Sequence, residues 1–250
     1  MLFSIFIKAE DKPKPIIYLV TEHLPPYQIL SDNKSLSGFS VDVITQTLIR
    51  SEYPFTLKSY PWLRSYNLAL NKTNHCIFSI ARLATREKLF KWVGPLSEVN
   101  NAVIWGLEAD DIVINTLNDA KAYMIAVNRN DITHTGLTER GFIDDKHLYV
   151  LNDIKSLVKL LMSRPEIDLI VADDITITYR AKIAGVPMKK LKRVFEIKDL
   201  PLNFFFACSN HTDDSIIADL TESLESLYLD GTYQDIWHKW QDKLNSPSKK

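Results

Sequence analysis

The strongest constraint on this chain is the regular alternation of short apolar runs with amphipathic helical stretches. Residues 15–20 (Pro-Ile-Ile-Tyr-Leu-Val) read as a strand, ended by the turn-forming Leu24-Pro-Pro-Tyr27. After Gly38, the spacing of Val41, Ile44, Leu48 and Ile49 predicts a helix to about Ser51. A strand near residues 55–59, a helix from Pro61 to about Asn71 and a strand at residues 76–80 complete a β-α-β-α-β unit, whose connections favour a parallel sheet. A second α/β unit follows the Trp92-Val-Gly-Pro95 turn. Residues 101–107 and 124–127 are strand-like, and residues 154–162 are helical. The strand at residues 167–172 meets Asp173-Asp174, and the helix from 175 to 183 ends at Gly185, where glycine takes the left-handed cap. Residues 203–208 form a further strand, and the helical C-terminus that starts at Asp213 breaks at Asp230-Gly231. No internal repeat is visible.

Of the 250 residues, 46% are hydrophobic and 24% charged, enough apolar material for one large domain or two lobes. Thirty basic and 31 acidic residues leave a net charge of −1, which gives no excess to hold a polyanion and argues against nucleic acid. None of the seven glycines falls in a phosphate-cradling spacing, so no nucleotide cofactor is expected. The six histidines are scattered, the two cysteines form no C-x-x-C pair, and no metal site is expected. Cys76 and Cys208 both sit in apolar runs, where a buried free thiol is the commoner outcome; a bond between them stays open if their strands adjoin in an oxidising compartment. Residues 1–9 resemble the tail of a secretory signal, although the apolar run is short and lacks a basic start. No later stretch has the roughly 18 apolar residues of a membrane-spanning helix.

Arg82 and Arg86 follow the strand at residues 76–80. Two guanidiniums at a strand's carboxyl end suggest capture of a small acid, because the fork of donors matches a carboxylate and open α/β sheets hold ligands there. The plainer alternative is a pair of solvated surface arginines. Trp62, Tyr27 and Phe78 offer apolar or cation-π faces to a cleft, or else belong to the core. Asp173 is either a ligand group or the cap of the helix that follows, and Glu22 is a second ligand acid or a surface residue.

Taken in order, Thr21-Glu-His-Leu-Pro-Pro-Tyr27, Gly38-Phe-Ser-Val-Asp42, Ser79-Ile-Ala-Arg82 with Arg86, Pro165-Glu-Ile-Asp-Leu169 and Asp230-Gly-Thr232 resemble the family 3 extracellular solute-binding proteins, the amino-acid-binding receptors of ABC transporters. The resemblance implies a type II periplasmic binding protein-like α/β fold of two lobes, each an open, mostly parallel sheet flanked by helices, joined by two hinge strands. Lobe I would comprise residues 15–97 and 203–245, lobe II residues 102–198, and the hinges residues 98–107 and 199–210. Residues 1–14 would be a signal remnant or flexible terminus and residues 246–250 a tail. The implied function is capture of a small polar, carboxylate-bearing solute in the interlobe cleft by a monomeric periplasmic protein, with delivery to a membrane permease. Capture needs no catalytic group; the alternatives are a sensor or orphan receptor of the same fold and a dehydratase-type enzyme on this scaffold, with Asp173 or Glu22 transferring a proton. Arg86 takes the place of the family's carboxylate-binding arginine and Asp173 that of the acid receiving an α-ammonium. Ser79 and Ala81 flank the site beside Arg82, and Arg129, Asn130 and Asp131 occupy a loop and helix start that meets the ligand carboxylate. The chain departs from the family pattern in that loop, where Asn130, Asp131 and Ile132 replace small residues, and at Leu24 and Leu83.

Overall fold

The structure, a computed structural model, describes residues 13–97, 101–151 and 157–245. The expected signal remnant up to residue 12, the first part of the expected hinge at 98–100, the start of the expected helix at 154–156 and the tail at 246–250 lie outside the described residues.

The chain opens with β1 (Ile17–Thr21), a small hairpin of β2 (Ile29–Leu30) and β3 (Leu36–Ser37), α1 (Phe39–Ser51), β4 (Phe55–Ser59), α2 (Trp62–Asn71), β5 (His75–Ala81) and β6 (Phe90–Pro95). There follow β7 (Asn101–Leu107), β8 (Ile125–Asn128), α3 (Ile132–Glu139), β9 (Leu148–Leu151), α4 (Leu157–Ser163), β10 (Leu169–Ala172), α5 (Asp174–Ala184) and β11 (Leu191–Pro201). The end of the described chain is β12 (Phe204–Ser209), α6 (Asp214–Leu229) and α7 (Thr232–Asn245).

These strands form two five-stranded sheets, ordered β4-β1-β5-β12-β6 and β11-β7-β10-β8-β9. In the first, β1 runs parallel to β4 and β5, while β12 is antiparallel to β5 and β6. In the second, β8 is parallel to β9 and β10, and β7 is antiparallel to β10 and β11. The chain thus leaves the first sheet after β6 and returns to it through Leu202 and Asn203, between β11 and β12.

Both faces of each sheet are covered, which is why the strands read as nearly continuous apolar runs. On one side of the first sheet, Leu19, Cys76, Phe78, Phe206 and Cys208 pack with the buried faces of α1, α6 and α7. On the other, Val20, Ile77, Ile80 and Ala207 meet Trp62 and Ala69 of α2. Phe78 and Ile80, two apart, face opposite sides because the pairing of β5 with β12 slips a register between them. Ser79 is the extra residue, held at φ 57°. In the second sheet, Ile104, Ile125, Val127 and Val171 pack on one side, and Val103, Ala126, Ile170 and Ala172 meet α4 and α5 on the other.

Two local features depend on single residue types. Gly38 enters α1 at φ 138°, and a Cβ there would lie 2.2 Å from the Tyr27 carbonyl oxygen. Cys76 and Cys208 face each other across the β5/β12 ladder and form a disulfide, which corrects the expectation of buried free thiols. The neighbourhood that made free thiols the commoner outcome was right, since both are fully buried. What the sequence did not carry was the pairing of strands 132 residues apart.

Candidate functional site

Between the two sheets lies a cavity of about 70 Å3, walled by the residues that follow the carboxyl ends of β1, β5, β8 and β10. This is the edge at which α/β sheets place ligands. The first lobe contributes Glu22, Leu24, Trp62, Ser79, Ala81 and Arg86, together with Phe204 at the start of β12. The second contributes Asn128, Asp131, Thr133, Asp173, Thr176 and Arg180, with an apolar floor that includes Ala126, Leu157 and Ala172.

The first-lobe wall is anchored by a buried polar knot. Gln28 Nε2 donates to Thr21 Oγ1 at 2.9 Å, Thr21 Oγ1 donates to the Phe78 carbonyl, and Ser65 Oγ donates to the Thr21 carbonyl at 2.7 Å. These bonds fix the end of β1, from which Glu22 emerges, against β5 and α2. They also set the start of α2, so Trp62 stands at the rim. The Ser79 hydroxyl is buried without a hydrogen-bond partner and lines the cavity.

Arg86 ends a single 3-10 turn after β5 and is 6% exposed. Its Nη1 donates to the Ala81 carbonyl at 3.3 Å and its Nη2 to the Asn130 carbonyl, across the cleft, at 3.1 Å. The guanidinium lies over the rings of Trp62 and Tyr66 at 5.3 and 5.4 Å. Burial holds its pKa below the usual arginine value, opposed by the Tyr66 ring hydroxyl and by the Asp131, Glu139 and Glu22 carboxylates. Trp62 Nε1 donates to the same Asn130 carbonyl at 2.8 Å. One oxygen of the second lobe therefore receives two donors from the first, and the lobes are latched shut at this point. Asn130 presents that oxygen from a left-handed backbone at φ 60°, a region asparagine enters more readily than most residues.

The second-lobe wall rests on two helix caps. Asp131 caps α3, accepting from the His134 amide and the Thr133 hydroxyl, each at 2.8 Å. Asp173 caps α5, accepting from the Thr176 amide at 2.8 Å and the Thr176 hydroxyl at 2.6 Å. Desolvation raises both carboxyls above the ordinary aspartate range, and the hydrogen bonds oppose it. Asp173 caps the helix, as its position suggested, and also lines the cavity.

Other expected site residues fall elsewhere. Arg82 points away from the cavity, paired with Glu87 and lying 5.2 Å from the Trp92 ring, because consecutive positions around the bulge face opposite sides of the sheet. Tyr27 and Phe78 are 1% exposed and belong to the first-lobe core, with Tyr27 edge-on to Phe204 at 4.8 Å. Arg129 lines an outer groove with Arg64 and Lys72 rather than the cavity. Glu22, Trp62, Ser79, Ala81, Arg86, Asp131 and Asp173 come together at the cavity, and Asn130 contributes its carbonyl to the latch.

The charged cavity residue that escaped the sequence reading is Arg180. Arg180 stands one helical turn beyond Thr176 on α5, 9% exposed, and lines the cavity. The signal was available, since residues 173, 176 and 180 share one helix face. Ile177 and Ala181, on the adjoining strip, were enough to account for the buried side.

The sequence profile of the bacterial extracellular solute-binding proteins, family 3, matches residues 16–243. Comparison with curated protein sequences returned no match. Among solved structures, a histidine kinase sensor domain with similarity to periplasmic binding proteins superposes with a TM-score of 0.79 at 18% identity, covering 91% of this chain and 96% of that one. An ancestral arginine-binding protein bound to glutamine gives 0.75 at 18% identity, with 90% and 97% covered. The GluR0 ligand-binding core from Nostoc punctiforme, in complex with L-glutamate, gives 0.72 at 21% identity, with 90% and 99% covered. At these identities the likeness is one of fold, a two-lobed α/β architecture, and it agrees with the sheet order described above. With a cavity between the lobes and a family profile spanning almost the whole described chain, the protein belongs to the bacterial extracellular solute-binding proteins, family 3.

Proposed function

We propose that the protein captures a small, carboxylate-bearing, amino-acid-like solute in this cavity and hands it to the permease of an ABC transporter. The observation that carries the reading is Arg86, a buried guanidinium at the cavity wall of one lobe, in a cavity whose opposite wall includes the Asp173 carboxylate. Arg86 grips the ligand carboxylate with two parallel charge-assisted hydrogen bonds, and Asp173 receives the ammonium. Opposite charges on opposite lobes make the closed form the one a zwitterion favours. The task is binding, and no residue is assigned a catalytic step. The buried Cys76–Cys208 bond suits an oxidising compartment such as the periplasm. The protein acts there as a monomer.

Isothermal titration with a panel of amino acids and small acids tests this. Arg86→Ala is expected to weaken the best ligand by about 2–5 kcal/mol, roughly 30- to 5,000-fold in Kd, with the variant still folded. Unchanged affinity in a folded Arg86→Ala protein would remove the assignment.

A second reading, closure that signals to a protein partner, is supported by the likeness to the histidine kinase sensor domain. Uptake of labelled ligand by cells lacking the protein separates the two. Lost uptake favours transport, and intact uptake with a lost transcriptional response favours sensing.

A further inference from the structure

We propose that Arg180 is a second anion-binding residue of the cavity, and that the ligand therefore carries two acidic groups: a small dicarboxylic acid, with acidic amino acids included. This rests on the reading of the cavity as the ligand site and narrows its substrate class.

Arg180 is more than nine-tenths buried and lines the cavity wall of the second lobe. Among the described residues its guanidinium makes no hydrogen bond, and no carboxylate oxygen lies within 4 Å of it to form an ion pair. The Asp173, Glu22 and Asp131 carboxylates act on it only through space. A guanidinium carries five N–H donors, and those of Arg180 meet no protein acceptor among the described residues at the cavity wall, where an anionic ligand would supply one. Arg86 is different: two of its donors already reach the Ala81 and Asn130 carbonyls.

The two aspartates of the second-lobe wall do not remove this demand. Asp131 and Asp173 are engaged by the first turns of α3 and α5, where amide and hydroxyl donors hold their oxygens and the helix dipole compensates their charge. Among the described residues neither forms an ion pair with Arg180, on which they act only through space. Two guanidiniums from opposite lobes then face one small cavity. A ligand with one carboxylate satisfies Arg86 and leaves Arg180 bare, whereas one with two reaches both. Asp173 remains available to an ammonium, which fits an acidic amino acid better than a neutral or basic one.

The test is titration calorimetry with L-glutamate, L-aspartate, succinate and malate against the near-isosteric L-glutamine and L-asparagine and against L-arginine. The wild type is expected to bind an acid at least about 10-fold more tightly than its amide. Arg180→Gln is expected to weaken the acid by about 100-fold while changing the amide by less than about 3-fold, and Arg180→Lys, which keeps the charge but loses the fork, to lie between. Ligand-free thermal unfolding of both variants checks that each is folded. If Arg180→Gln does not fold, the acid-to-amide ratio of the wild type and the response of Arg180→Lys still decide. Tight, Arg86-dependent binding of glutamine, asparagine or arginine that Arg180→Gln leaves unchanged overturns the proposal and leaves the solute-capture reading standing. Binding of no member of the panel overturns both.

Discussion

Asp173 shows how one side chain serves the fold and the cavity wall together. Its carboxylate caps α5 through Thr176 and still faces the cavity. Burial raises its pKa above the ordinary aspartate value, so between that value and the folded one the native chain holds a proton the unfolded chain has lost. The stability it contributes is full below the ordinary aspartate value and is lost as pH rises through the raised one. Asn at this position caps as well as Asp but does not titrate. Asp173→Asn is therefore expected to gain stability relative to the wild type as pH rises from about 3 to 7, read as the difference in urea midpoints. Binding of an ammonium-bearing ligand should fall in the same variant. A constant stability difference across pH would show that the buried carboxyl does not titrate in this way. Arg86 was readable because it closely follows a strand in a sequence context that resembles known receptors. Arg180 was not, because a helix with one face in the core and another in a cavity shows little apolar contrast along its sequence.

Among the elements, those with strong periodicity were the legible ones. The helix expected from Gly38 to Ser51 is observed at Phe39–Ser51, and the strand expected at 101–107 at Asn101–Leu107. β11 was missed as a strand over most of its length because Lys192, Arg193, Glu196, Lys198 and Asp199 interrupt its apolar positions; it runs at the edge of its sheet, where such charges reach water. The expected turn at Trp92-Val-Gly-Pro95 is instead the end of strand β6, masked by its glycine and proline, and β9 has only four residues. The bulge at Ser79 was beyond reach of any alternation pattern, since it resets the pattern, and it is also what sends Phe78 into the core. At the entry to α1, a side chain at Gly38 meets backbone at 2.2 Å and an unfavourable φ. Gly38→Ala is expected to cost about 1–3 kcal/mol, visible as a lowered thermal midpoint. A midpoint equal to the wild type's would mean that the Tyr27 segment shifts without cost.

For the whole molecule, the first sheet is assembled from both ends of the chain, with β12 inserted between β5 and β6 and α6 and α7 packed beneath. Periodicity is local and carries no record of such a return. Here the resemblance of motif order to a known family supplied what the residues alone did not. The Cys76–Cys208 bond ties the two ends together across 132 residues, so its loss releases a long loop in the unfolded chain. Cys76→Ala/Cys208→Ala is expected to lose about 2–5 kcal/mol of unfolding free energy in denaturant titration, and addition of a reductant to lower the wild type only where the buried bond becomes accessible. A double variant as stable as the wild type would show that the strand pairing holds the ends without it.

The carbonyl of Asn130, shared by Trp62 and Arg86, has a kinetic meaning as well. On the proposed reading, the arginine that grips the solute is also the bolt on the door, which must be drawn before a solute enters. Traffic through the cleft then follows the clock of the opening motion and not the rate of encounter, and the solute replaces the bolt's own acceptor when the door shuts behind it.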